Sequence, residues 1–168
     1  MIDQFIVALA ERWPSAILLL LWTLVLRASR TSGWRMAIVL LPGTWLHEVM
    51  HFMVGWLLRA KPVSFSLWPK RNGNVWVLGY VGFKGLNIWN AAFVTMAPLL
   101  LFAGGALAFT HLLHPAFVDE RYWLWVLLGY PIAACLQSGV PSVTDFRVGA
   151  LSICMYASAA VGLWHLTQ

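Results

Sequence analysis

His47-Glu48-Val49-Met50-His51 puts two imidazoles and a carboxylate within five residues. On an α-helix, residues four apart share a face. His47 and His51 can therefore bind one zinc ion, with Glu48 beside them as general base for attack of water on a peptide bond. Apart from this motif, Met36 to Leu58 is uncharged and strongly apolar. Ionisable groups at membrane depth are costly and mark functional sites. The other reading of His47 and Glu48, a hydrogen-bonded packing pair, gives the buried carboxylate no task.

A catalytic zinc takes three protein ligands and keeps a fourth position for water. The chain has six acidic residues. Asp3, Glu11, Asp119 and Glu120 fall in terminal or connecting positions, whereas Glu48 and Asp145 lie within or against apolar segments. Asp145 is thus the candidate third ligand. Pro141 ahead of it breaks the apolar pattern and can bend the backbone to aim the carboxylate at the motif helix. Irregular backbone at that depth is tolerated where it lines a wet cavity, and Gln137, Ser142 and Thr144 are candidates to line a water path. Asp145 has two other readings, as a helix cap and as a partner for Arg147. His111, His114 and His165 read as surface histidines. Cys135 and Cys154 read as small buried hydrophobes, with neither a disulfide nor a metal role.

These residues need positioning elements. The chain has 168 residues, 61% of them hydrophobic and only 10% charged, with a mean hydropathy of +0.75. Soluble domains carry roughly 25% charged residues. The expected fold is an all-α polytopic membrane protein, one domain over residues 1–168. About five transmembrane helices are expected, near 13–30, 36–58, 87–113, 122–138 and 148–166. Pro14 suits a first helical turn, and Pro42-Gly43 suits a kink ahead of the motif. Between the second and third helices, Asn72-Gly73 flanked by β-rich residues predicts a membrane-associated β-hairpin near 63–83. Trp13, Trp34, Trp56, Trp89, Trp123 and Trp164 lie at ends of apolar runs, as interfacial indoles do. No signal-peptide pattern is visible, so the first helix is expected to be retained.

The net charge of +5 suits loops facing an anionic membrane leaflet and does not call for nucleic acid. With the N-terminus inside, Arg12, Arg59, Lys61, Lys70, Arg71, Lys84 and Arg147 fall on the cytoplasmic side. Arg27, Arg30, Arg35 and Arg121 fall on the other. The positive-inside rule favours that orientation.

From about Arg35 to Arg147 the chain resembles the site-2 protease family of intramembrane zinc metalloproteases. That family carries His-Glu-x-x-His in one transmembrane helix, then a membrane-associated β-hairpin, then Asn-x-x-Pro followed by Asp-Gly two helices later. Here the first motif is complete at His47, Glu48 and His51, and the second reads Ser138-x-x-Pro141 and then Asp145. Ser138 stands where the family has Asn, Phe146 where it has Gly, and Pro141 to Asp145 is tighter than usual. The 168 residues leave no room for PDZ or CBS domains, so the resemblance implies a minimal, divergent member.

The resemblance implies a zinc metalloendopeptidase with Zn2+ on His47, His51 and Asp145 and Glu48 as catalytic base. Ser138 and Pro141 would contact substrate. The implied partners are a transmembrane protein substrate, the lipid bilayer and a regulatory protein. The implied location is a bacterial or archaeal cell membrane, multi-pass, with the active site toward the cytoplasm. A non-proteolytic membrane protein that binds metal or captures helices is the alternative, and the intact Glu48 argues against it. A metal transporter would need several ligand clusters along a path.

Overall fold

The computed structural model describes residues 2–29, 36–68, 70–72, 75–77 and 79–168. Arg30 and Arg35, the interfacial candidate Trp34, and Gly73 of the Asn72-Gly73 turn signal lie outside the described residues. The chain is mostly helical with two small antiparallel sheets. Its contacts divide it into two units, Met1–Gly43 with Leu101–Gly139, and Thr44–Leu100 with Val140–Gln168.

Helix α1 spans Ile2–Ala28. It begins well ahead of the expected Trp13, because Gln4 to Glu11 are mostly good helix formers, so Pro14 lies in its interior and not in its first turn. A π turn over Met36–Leu40 leads into α2, Leu41–Leu57, the motif helix. Pro42 has no N–H to offer the carbonyl four residues back, which disfavours an ordinary α turn there. The same arrangement recurs at a second π turn, Phe109–Leu113, two residues before Pro115.

Strands β1 (Pro62–Ser66) and β4 (Tyr80–Phe83) pair antiparallel, with Ser66 opposite Tyr80 and an irregularity between Pro62 and Ser64. Nested inside them, β2 (Lys70–Asn72) pairs with β3 (Val75–Val77), Asn72 opposite Val75. The expected hairpin is present, as two short ladders.

The helix expected over 87–113 is interrupted. Asn87 and Asn90 cap each other's backbone, a five-residue helix α3 runs Ala91–Thr95, and α4 (Leu99–Ala108) starts only after Pro98. α4 continues through the π turn into α5, His114–Val118. α6 is Tyr122–Ser138, and α7 is Val143–Leu166. α7 starts earlier than the expected residue 148, so Asp145 belongs to a helix and not to a broken stretch before one.

In the first unit α1 packs on α6. Trp22 donates its indole N–H to the Val126 carbonyl at 3.2 Å, and Trp125 donates to Ser15 Oγ at 3.0 Å. Gly129 lets the Trp22 ring close in, since a Cβ there would sit 2.6 Å from it. Leu18, Leu113 and Ile132 form the buried centre. His114 is half buried beside them, deeper than the surface position expected. In the second unit α3 packs on α7, with Phe93 edge-on to Tyr156 and the Tyr156 hydroxyl donating to the Trp89 carbonyl at 2.8 Å.

The helical stretches Leu99–Val118 and Val143–Leu166 are each long and apolar enough to cross a membrane. Trp13, Trp56, Trp89, Trp123 and Trp164 all present exposed rings. Both cysteines are free, but Cys154 is exposed on α7 instead of buried.

Candidate metal centre

The i, i+4 spacing on α2 stacks the His47 and His51 rings edge to face, centroids 4.7 Å apart, with their Nε2 atoms 3.1 Å apart. The Asp145 carboxylate meets both. Its Oδ1 lies 3.2 Å from His51 Nε2, and its Oδ2 lies 3.4 Å from His47 Nε2. These three residues form the group of metal-ligand side chains found among the described residues, with donor atoms all within 4.8 Å of one another. Two imidazoles and a carboxylate are a donor set that can hold a divalent metal ion.

His51 is held from its far side. Its Nδ1 lies 2.7 Å from the Val94 carbonyl oxygen, a buried contact. A carbonyl only accepts, so Nδ1 carries a proton, and the tautomer with its proton there has its Nε2 lone pair open to a metal. The Val94 carbonyl is available because its helical partner four residues on is Pro98, which has no N–H. Only a long 3.4 Å bond from Ala97 competes. Sequence reasoning missed Val94, since a main-chain acceptor leaves no side-chain signature. The Pro98 offset was the one available clue.

Asp145 is fixed by the start of α7. Ser142 is the N-cap and Asp145 is the third helical residue, and the two form a reciprocal capping box. The Asp145 amide donates to Ser142 Oγ at 3.2 Å, and Asp145 Oδ2 accepts from the Ser142 amide at 2.6 Å. A carboxylate in the first turn is also favoured by the helix dipole. Asp145 is therefore both a cap and a neighbour of the two histidines, which joins two readings that the sequence held apart.

α7 is kept against α3 by small contacts. Ser152 Oγ accepts from the Ala92 amide at 2.9 Å, satisfying an otherwise orphaned donor at the start of a short helix. Gly149 faces Thr95 with no room for a Cβ.

Glu48 points to another stripe of α2. Trp45, Glu48, Phe52 and Gly55 follow helical spacing along one face, and each meets the sheet or its extension. The Trp45 indole donates to the Leu67 carbonyl at 2.7 Å. Phe52 packs on Phe65 with centroids 5.2 Å apart. Gly55 lies under the Phe83 ring, and Glu48 lies under the backbone of Gly79. Glu48 is also within electrostatic reach of His47, His51 and Asp145.

Ser138 ends α6, its hydroxyl against the backbone of Gly43, while Pro141 is buried just ahead of the Ser142 cap. The structure brings together His47, His51 and Asp145 with Glu48 adjacent, and assigns Ser138 a packing contact. No family model, curated protein or solved structure matches the chain.

Proposed function

We propose that the protein is an intramembrane zinc metalloprotease that hydrolyses peptide bonds of transmembrane or membrane-proximal segments. One observation carries the reading. A His-Glu-x-x-His helix meets a carboxylate from a second helix at both imidazole Nε2 atoms, with a glutamate alongside that pure metal storage does not require. In this reading the chain crosses the bilayer five times, through α1, the Met36–Leu57 segment, the α4–α5 segment, α6 and α7, with its N-terminus in the cytoplasm. Exposed apolar residues on four of these segments, such as Leu24, Met53, Leu127 and Leu151, suit lipid contact better than water.

His47, His51 and Asp145 would hold the zinc ion, which would supply Lewis acidity for the scissile carbonyl and for the attacking water. Glu48 accepts the proton from the attacking water and returns it to the leaving amine. The Val94 carbonyl keeps His51 in the tautomer that leaves Nε2 free. The substrate helix must unwind before its peptide bonds are accessible, and an edge of the hairpin can hold the unwound strand by β-augmentation.

The test is Glu48→Gln beside wild type, purified in detergent, with zinc content and cleavage of a transmembrane substrate both measured. Zinc retained with cleavage reduced at least about 100-fold supports the reading. Undiminished cleavage removes Glu48 as base. A second reading, a metal-binding relative without protease activity, draws support from Ser138 and Phe146 at the family's Asn and Gly positions. It predicts bound zinc and no cleavage by wild type.

A further inference from the structure

We infer that the sheet fixes the position of the Glu48 side chain and that Gly79 is the positioning residue through which it does so; the catalytic consequence rests on the protease reading above. α2 divides its labour between two neighbouring stripes. His47 and His51 turn toward Asp145, with the Val94 carbonyl behind His51. Trp45, Glu48, Phe52 and Gly55 turn toward the sheet, and Glu48 is the one titratable group among them. The contacts on either side of Glu48 hold strand and helix in register. They are the Trp45 bond to the Leu67 carbonyl and the Phe52–Phe65 ring contact.

Between them the backbone runs over Glu48 at Gly79. A Cβ on residue 79 would come 2.8 Å from Glu48 Cγ and 3.5 Å from its Cδ, and 3.2 Å from the Ser66 carbonyl oxygen. The glutamate stem is thus confined by main chain. The strand has little room to retreat from an added methyl, because Ser66 stands close by. An alanine at 79 makes Glu48 rotate, carrying its carboxylate away from the attacking water. A general base acts only within hydrogen-bond reach, and a misplacement of about 1 Å can cost roughly 100-fold in rate. Two of the three metal donors, His51 and Asp145, are held by other partners, Val94 and the Ser142 cap, so Gly79→Ala is expected to leave the metal site in place.

Two measurements test this. The first is independent of activity. In a background with Cys135 and Cys154 changed to Ala, Glu48→Cys is paired with Gly79→Cys. Glu48 Cβ lies one C–C bond of about 1.5 Å from Cγ. The two Cβ positions are therefore at most about 4.3 Å apart, within the ~3.5–4.5 Å that a disulfide spans. Mild oxidation is expected to give a cross-link reversed by reductant. Glu48→Cys with Tyr80→Cys, the next residue along and on the opposite strand face, is expected to give none. Failure of the first pair to cross-link overturns the inference.

The second measurement is steady-state cleavage by Gly79→Ala. The expected result is unchanged zinc content, unchanged KM and a kcat lower by about 100-fold. An active wild type with an equally active Gly79→Ala overturns the positioning role and leaves the protease reading standing. A zinc-loaded wild type that does not cleave overturns the protease reading and, with it, the catalytic role of Gly79. The cross-link then still decides the contact itself.

Discussion

His51 and Val94 are joined by a buried 2.7 Å hydrogen bond from the imidazole Nδ1 to a main-chain carbonyl that has lost its helical donor to Pro98. The bond links the interruption between α3 and α4 to the metal centre. A proline that reads as a helix breaker frees an acceptor where a metal-binding histidine needs one. Partners of this kind orient the ring and raise its basicity.

Pro98→Ala restores an N–H at the position that would donate to Val94 in a continuous helix. The new donor competes with His51, and the ring loses its anchor. We expect zinc affinity to fall about tenfold, the lower end for loss of such a partner. A competition titration against a chromophoric chelator measures it. Unchanged affinity would show that the His51–Val94 bond does not depend on the proline.

The Ser142 cap gives a second, separable effect. Ser142→Ala removes the acceptor for the Asp145 amide while leaving the carboxylate's own bond to the residue 142 amide. Helix stability should fall by about 1 kcal/mol, and zinc affinity should fall several-fold as Asp145 becomes less ordered. Ser142→Thr keeps the cap and should behave close to wild type. Thermal unfolding followed by circular dichroism, with and without zinc, separates the two effects. Equal behaviour of the Ala and Thr variants would exclude the cap as a determinant.

Local chemistry was readable before the fold was. His47 and His51 follow from helical periodicity alone, and Asp145 from the scarcity of acids in apolar segments. Asn72-Gly73 announced strands that do pair, β2 with β3 and β1 with β4. Features set by the meeting of two elements were not readable. Gly79 matters because the backbone leading into β4 passes over α2 at Glu48, and nothing in Leu78-Gly79-Tyr80 specifies that crossing. α1 and α7 begin ahead of the expected spans because a helix continues through charged and polar residues that an apolar run excludes, Glu11 and Arg12 in α1 and Thr144, Asp145 and Arg147 in α7. The long helix expected over 87–113 is broken ahead of Leu99, where Pro98 offers no N–H to the Val94 carbonyl.

Asp145→Asn keeps the side chain's size and removes its charge. The amide offers one neutral oxygen where the carboxylate offered two charged ones, and the helix start loses about 0.3–1 kcal/mol of favourable dipole interaction. Zinc per chain after dialysis should drop from about one to well below it, with the helical spectrum retained. Unchanged zinc content would remove Asp145 from the ligand set and leave it as a helix cap alone.

The seating of α7 on α3 should couple to metal binding through Gly149 and Thr95. A Cβ on residue 149 collides with the Thr95 hydroxyl, so Gly149→Ala alone should push α7 away. That would displace Asp145, one turn earlier on α7, and Val94, next to Thr95 on α3. Thr95→Ala removes the colliding oxygen, and the double variant should recover much of the loss. Residues in contact couple by about 0.5–3 kcal/mol, so a double-mutant cycle on unfolding free energy should give a favourable interaction of about 1 kcal/mol. Zinc affinity should follow the same order, lowest in Gly149→Ala and partly restored in the pair. Additive effects in both readouts would mean that the helix contact and the metal centre are independent.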